Sequence, residues 1–266
     1  WAVIVVLATE TPKKWLALVV GGLFVLVFVS IKLLGGSEQP APVVLQNPVQ
    51  DKPTRVDRTR NLPPANILYL SKNTIGYKHL DKASTTRTIP AVWHGGKSYL
   101  PIIGERDLNG KKWTKVLIQD RPNGSALWVP FNDSSMKIYR GSDVIDIDSK
   151  TGILRRFNNR RLLLKTKAVL GKPSTPTPKG KFFITHLAAT PNPSYGEFML
   201  VTSAHSTAFD DFGGIGDAIV AIHGPIDSSE KQIASGARLS NGCVRLKLRY
   251  LDSLRDVKPG SLLIIH

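Results

Sequence analysis

The run DAIVAIHG, residues 217–224, decides how the carboxy-terminal half of the chain folds. Ala218 to Ile222 is an unbroken apolar stretch of the kind found in a strand buried on both faces. His223 closes it, and Gly224-Pro225 then turns the chain. Working outward, VIDID (144–148), RRLLLK (160–165), KFFITHL (181–187) and FMLVTSA (198–204) have the same strand-like character, and SLLIIH (261–266) supplies a last strand. One amphipathic helix is predicted from Lys247 to Val257, because Leu248, Leu251, Leu254 and Val257 recur at three-residue steps before Pro259-Gly260. The region 142–266 is therefore expected to be β-sandwich-like with few short helices.

Upstream, residues 65–140 alternate short strands with turns. ILYL (67–70), TIGYKHL (74–80), TIPAVW (88–93), SYLPII (98–103), WTKVLI (113–118) and ALWVPF (126–131) are rich in β-branched and aromatic residues. Gly95-Gly96, Asn109-Gly110 and Asn123-Gly124 stand between them as tight-turn dipeptides. Short strands at this spacing predict a small β-barrel, with Trp113 and Trp128 as core or groove residues. Residues 35–64 are Pro-rich and polar without periodicity, which reads as a linker. Before it, Trp15 to Leu34 holds twenty mostly apolar residues with one charge, Lys32. As a helix this run spans about 30 Å, enough to cross a hydrocarbon core. Lys13 and Lys14 favour a cytoplasmic start, so the chain beyond Gly35 is expected outside the cell, held by a single-pass anchor over about 15–34. A cleaved signal peptide is the weaker alternative, since no small-x-small site follows. The opening WAVIVVLA is itself apolar and reads as the tail of an earlier segment.

Composition narrows the chemistry. With 266 residues, 42% hydrophobic and 21% charged, the chain has material for a buried core. A net charge of +16 is spread along the chain without a long basic block, which suits an anionic environment rather than a nucleic-acid arm. No nucleic-acid motif supports the latter. The six His are scattered and there is one Cys, so no disulfide framework, metal site or cofactor is expected.

That single Cys243 lies in SNGCVR (240–245). A buried free Cys is the ordinary alternative. Against it, Gly242 lets the thiol point out of a tight turn, and the nearby Arg238 and Arg245 favour a thiolate. A Cys nucleophile needs a base, and His223 at the end of a buried strand is the best placed; His186 and His205 are rivals.

His223-Gly224, then sixteen residues from Gly224 to Leu239, then Ser240-Asn241-Gly242-Cys243-Val244-Arg245 resembles the signature of the YkuD-type L,D-transpeptidases. GKPSTPTPKGKFFIT (171–185), PSYGEFMLV (193–201) and the closing VKPGSLLIIH resemble further segments of that family, so the likeness spans 142–266. The family often has His where Asn241 stands and Asn where Arg245 stands. WTKVLIQDRPNGSALWVP resembles the last strands of a bacterial SH3-like domain. The fold implied is mainly β: a transmembrane helix, an SH3-like barrel, then the L,D-transpeptidase domain.

The resemblance implies that Cys243 attacks the L-centre carbonyl of a peptidoglycan tetrapeptide stem, expels D-Ala, and passes the acyl group to the amine of an acceptor stem. His223 would be the base, with its other ring nitrogen donating to a backbone carbonyl at Gly224. Backbone N–H groups of Asn241, Gly242 and Cys243 would form the oxyanion hole. Ser240 would brace the turn, Arg245 would hold a stem carboxylate or a surface ion pair, and Tyr195 would belong to a lid or simply pack. Donor and acceptor stems, together with anionic cell-wall polymers, are the partners implied. Two alternatives stand beside this: an L,D-carboxypeptidase that transfers to water, and a non-enzymatic wall-binding protein. A papain-like peptidase fits less well, since its nucleophile precedes its His.

Overall fold

A computed structural model describes residues 63–80, 84–212, 214 and 216–266. The predicted anchor over 15–34 and the linker lie outside these residues. No helix among the described residues is long and apolar enough to cross a membrane.

The first part is built from β1 (Ile67–Leu70), β2 (Thr74–Tyr77), β3 (Thr86–Ile89), β4 (Val92–Trp93), β5 (Gly96–Lys97), β6 (Tyr99–Leu108), β7 (Lys111–Leu117), β8 (Ala126–Pro130) and β9 (Met136–Tyr139). Seven of these form one sheet in the order β3-β2-β8-β7-β6-β1-β9, and β4 pairs with β5 as a small ribbon. Its alternating residues bury Leu68, Leu70, Leu100, Val116, Leu127 and Val129 on one face. Trp113 and Trp128 are not core residues. Both are half-buried on the outer face, with the ammonium groups of Lys111 and Lys115 each 5.7 Å from their rings.

The second part comprises β10 (Asp143–Asp148), β11 (Ile153–Asn158), β12 (Arg161–Lys167), β13 (Leu170–Gly171), β14 (Gly180–Ala189), β15 (Phe198–His205), β16 (Ile219–His223), α1 (Glu230–Ser235), β17 (Arg238–Ser240), β18 (Val244–Arg245), α2 (Leu248–Asp252) and β19 (Leu262–Ile265). Eight strands join in the order β12-β11-β10-β19-β14-β15-β16-β18, while β13 pairs with β17. Rather than two separate layers there is one mixed sheet, turned at β14. The first half of that strand pairs with β19 and, past a register shift between Ile184 and His186, its second half pairs with β15. Both halves and α2 share one core that includes Ile145, Phe182, Leu200, Ile222, Val244 and Leu251.

The predicted Lys247–Val257 helix is shorter than expected. Only Leu248–Asp252 is α-helical, with no side-chain cap at Lys247. Beyond it Leu254, Arg255 and Val257 donate to carbonyls three residues back. Apolar residues spaced every three positions suit these tighter turns better than a 3.6-residue helix, and Leu251, Leu254 and Val257 are buried while Leu248 is not. The other short helix, α1, has no apolar periodicity to announce it. It has a capping box between Ser229 and Gln232 and a left-handed Gly236 at its end, but buries only Ile233.

The two parts are joined through side chains. Phe183 of β14 and Leu262 of β19 belong to the core of the first sheet. The turn RPNGS (121–125) reaches the segment between β15 and β16. There Asn123 Nδ2 donates to the His205 carbonyl and Asn123 Oδ1 accepts from its N–H, both at 2.8 Å. Arg121 donates to the carbonyls of Ser206 at 3.0 Å and Phe209 at 3.2 Å.

Candidate active site

β16 and β18 run parallel and adjacent, with Ile222 opposite Val244 and His223 opposite Arg245. Side chains alternate across a strand. Ile222 and Val244 are therefore turned into the core, where both are fully buried, and His223 and Arg245 share the opposite face. Cys243, one position before Val244, falls on that same face, and the Ala221 N–H approaches its Sγ at 3.5 Å. The pairing of the two strands thus brings the nucleophile and base predicted from sequence to one edge of the sheet. No hydrogen bond joins the imidazole to the sulfur among the described residues, and Cys243 keeps part of its surface exposed.

The turn carrying Cys243 is heavily braced. Gly242 has φ 119°, a backbone region that any Cβ disfavours. Ser240, fully buried, donates its Oγ proton to the Cys243 carbonyl at 2.6 Å and accepts the Gly242 N–H at 3.1 Å. The Gly242 N–H, one of the three donors expected for an oxyanion hole, thus makes a bond to Ser240 Oγ. Among the described residues the backbone N–H groups of Asn241 and Cys243 make no such bond. Two further residues support the turn from the segment between β13 and β14. Thr175 Oγ1 donates to the Ser240 carbonyl at 3.0 Å, and Thr177 Oγ1 donates to the Gly242 carbonyl at 2.8 Å while accepting the Gly171 N–H. Sequence reasoning quoted this TPTPKG stretch but gave its threonines no role; hydroxyls spaced two apart between prolines were the available signal.

His223 is 2% exposed, and its Nδ1 lies 2.9 Å from the Gly224 carbonyl. A carbonyl only accepts, so Nδ1 carries the proton and Nε2 is left as the basic nitrogen. Burial pulls the ring down from 6.5 to about 4; the Gly224 carbonyl opposes this and the Arg245 charge adds to it. Burial also pushes the Cys243 thiol up, against the opposite pull of the Ala221 N–H and of Arg245. Of the two arginines expected near the sulfur, Arg245 acts on it. Arg245 is 14% exposed in its side chain and meets Asp227 at 2.5 Å and Ser228 Oγ at 2.9 Å, the ion-pair alternative weighed from sequence.

Over the end of β16 sits a short 3-10 turn, Pro193–Tyr195. The Gly224 N–H donates to the Tyr195 carbonyl at 2.6 Å and the Ile226 N–H to the Ser194 carbonyl at 2.8 Å. The Tyr195 ring lies 4.8 Å from the imidazole at 44°. Tyr195 therefore packs on His223 while half-exposed, placed as a cover for the site. The rival bases do not meet the sulfur. His205 is buried with both ring nitrogens occupied, by Asp217 at 2.9 Å and the Gln119 carbonyl at 2.7 Å. His186 lies by Thr185 on the side facing the first sheet, lowered by burial and by the charge of His94.

An imidazole with a fixed tautomer, on a strand neighbouring the braced turn that carries a thiol, has the parts for acyl transfer through a thioester. Residues 142–265 match the YkuD family, the L,D-transpeptidase catalytic domain. The match covers slightly under half of the chain, the part that bears His223 and Cys243. Comparison with curated proteins found no match. Among solved structures the chain is similar to the LD transpeptidase LdtMt1 in complex with imipenem, at 16% identity and TM-score 0.38 over 76% of this chain and 82% of that one. It is also similar to an L,D-transpeptidase from Mycobacterium smegmatis, at 16% and 0.38 over 78% and 100%. A third is L,D-transpeptidase 3 from Mycobacterium tuberculosis in complex with a faropenem-derived adduct, at 12% and 0.37 over 55% and 75%.

Proposed function

We propose that this protein is a peptidoglycan L,D-transpeptidase in which Cys243 is the nucleophile and His223 the base. The observation that carries this is the Nδ1–H bond from His223 to the Gly224 carbonyl, which leaves Nε2 as a lone-pair acceptor on the sheet face that also bears Cys243. In the acylation step Nε2 takes the thiol proton as Sγ attacks the carbonyl of the third stem residue. The oxyanion is met by the N–H groups of Cys243 and Asn241, each donor being worth about 3–4 kcal/mol in such sites. Collapse expels D-Ala, whose nitrogen receives the proton from His223. The acceptor amine then attacks the thioester and surrenders a proton to Nε2; the proton returns to sulfur as the new amide forms, a 3→3 cross-link. One amide replaces another, so no external energy source enters the balance. Bonds between catalytic groups are often long without substrate and tighten once it is bound, which accommodates the unmade thiol–imidazole bond.

The same proposal includes the remaining parts. The apolar run 15–34 anchors the chain in the cell membrane with the catalytic domain on the wall side, residues 65–140 are a bacterial SH3-like domain, and the basic surface draws the protein to anionic wall polymers. Supporting this are the residues quoted from those segments and the charge of +16. Arg245 orients a stem carboxylate by exchanging its exposed partner Asp227 for the ligand.

Intact-protein mass spectrometry after incubation with imipenem tests the nucleophile. One adduct mapped to Cys243, lost in Cys243→Ala and formed at least a hundredfold more slowly in His223→Ala, is the expected result. An adduct at any other residue, or full labelling of Cys243→Ala, overturns the assignment. Muropeptide analysis then reads the acceptor: 3→3 dimers support transfer to an amine, and trimmed monomers alone point to water.

A further inference from the structure

Between β12, α1 and α2 lies a groove of about 450 Å³ that the proposed reaction does not use. Its floor is apolar and aromatic, made by Ile153, Ile233 and Tyr250. Four cations line it: Lys165 and Lys167 from β12, Lys247 just before α2, and Arg249 within it. No carboxylate belongs to the lining. Glu230 pairs with Lys247 at 2.9 Å but is itself 81% exposed. An ion pair so placed is worth little and is easily exchanged. Lys167 uses one of its protons on the Thr151 carbonyl. Arg249 lies over the Tyr250 ring, 4.8 Å from its centre, and donates to that residue's hydroxyl. Among the described residues neither Lys165 nor Arg249 forms an ion pair, although the charge of Arg249 is felt by Glu230.

We infer that this groove binds an anionic phosphodiester polymer, of the kind whose repeats alternate a phosphate with a polyol or sugar. The inference deepens the attraction to anionic wall polymers proposed above, and rests on that reading for where such a polymer would be met. Concavity, four cationic residues in the lining and the apolar residues among them are the three features that argue for it. A single acid would gain little from partly exposed cations in salt, whereas a chain carrying several charges engages them together. Lysine ammonium and arginine guanidinium both suit phosphate oxygens, and the carbon-rich links between phosphates have Ile153, Ile233 and Tyr250 to lie on. Lys247 is two residues past Arg245, so a polymer held here runs beside the catalytic edge and keeps the enzyme on its wall.

The test uses the whole chain and a fluorescent glycerol-phosphate oligomer, read by anisotropy across a salt series. Lys165→Gln/Arg249→Gln should weaken binding about tenfold or more and make the dependence on log salt shallower by about one per cation removed. Lys111→Gln/Lys112→Gln, which removes equal charge from the first sheet, should weaken it less than twofold. Equal losses in the two variants, or oligoglutamate of the same charge binding as tightly as the phosphate oligomer, would overturn the inference. So would capture of single-stranded DNA in preference to the oligomer, or absence of binding by the parent protein. Imipenem labelling of Cys243, measured on the same samples, is independent of the groove and separates failure here from failure of the catalytic reading.

Discussion

His223 and Cys243 are shifted in opposite senses, and both shifts favour the uncharged pair. Burial holds the imidazole near 4 and raises the thiol, so at neutral pH the site rests as thiol and neutral imidazole. A base that stays unprotonated through the mildly acidic range has a consequence for rate. Imipenem labelling of Cys243 should show no acid limb at 6.5 and should lose half its His-dependent rate only near pH 4, followed by mass spectrometry in buffered time courses. A midpoint at 6.5 would mean that the ring is solvated. Stability follows the same sign. Because the folded value lies below the unfolded one, the unfolded chain takes up the proton first as pH falls. The full contribution is present above 6.5 and is lost between 6.5 and about 4, a loss of about 3 kcal/mol at most.

At the scale of elements, the site depends on the 3-10 turn being pressed against the end of β16. A Cβ on Gly224 would lie 2.6 Å from the Tyr195 carbonyl oxygen, inside any real contact, and backbone cannot swing aside as a side chain does. Gly224→Ala should displace the turn, cost about 1–3 kcal/mol and slow imipenem labelling at least tenfold. Unchanged labelling and an unchanged urea midpoint would mean that the turn is not needed. The same elements explain what was legible. Apolar runs such as AIVAI and FMLVT announce buried strands because burial on both faces leaves no room for polar residues; strand end and residue type made His223 the best-placed base, and the His223-to-Cys243 pattern was legible as a resemblance to the YkuD signature. What the sequence did not disclose is how backbone donors are shared. Whether the Gly242 N–H is free depends on a rotamer of Ser240, and the bracing by Thr175 and Thr177 crosses 65 residues. Of the two places expected for Trp113 and Trp128, core or groove, the sequence could not choose: alternation tells which residues share a face, but not which face meets the core.

Across the whole molecule, the contact between the two sheets has the character of an interior. Asn123 takes both backbone groups of His205, as a neighbouring strand would, and the buried His205 ring joins Gln119 of the first part to Asp217 of the second. Arg121 adds two carbonyl contacts and an ion pair with Asp217 at 3.4 Å, though its side chain is 40% exposed. With Phe183 and Leu262 entering the first core, the described region should unfold in urea as one cooperative unit. The segment 206–217 leads directly into β16, so these bonds also restrain the strand that ends at His223. Arg121→Ala/Asn123→Ala removes four side-chain hydrogen bonds. Discounting the exposed guanidinium, the loss is about 2–3 kcal/mol. The shared apolar core should survive, so the variant should still fold, but with faster amide exchange over 206–217 and a broadened or divided urea transition. Slower labelling of Cys243 with an intact thiol count would extend the effect to the catalytic strand. A single sharp transition at the parent midpoint, with exchange unaltered, would show that the cores alone hold the two sheets together.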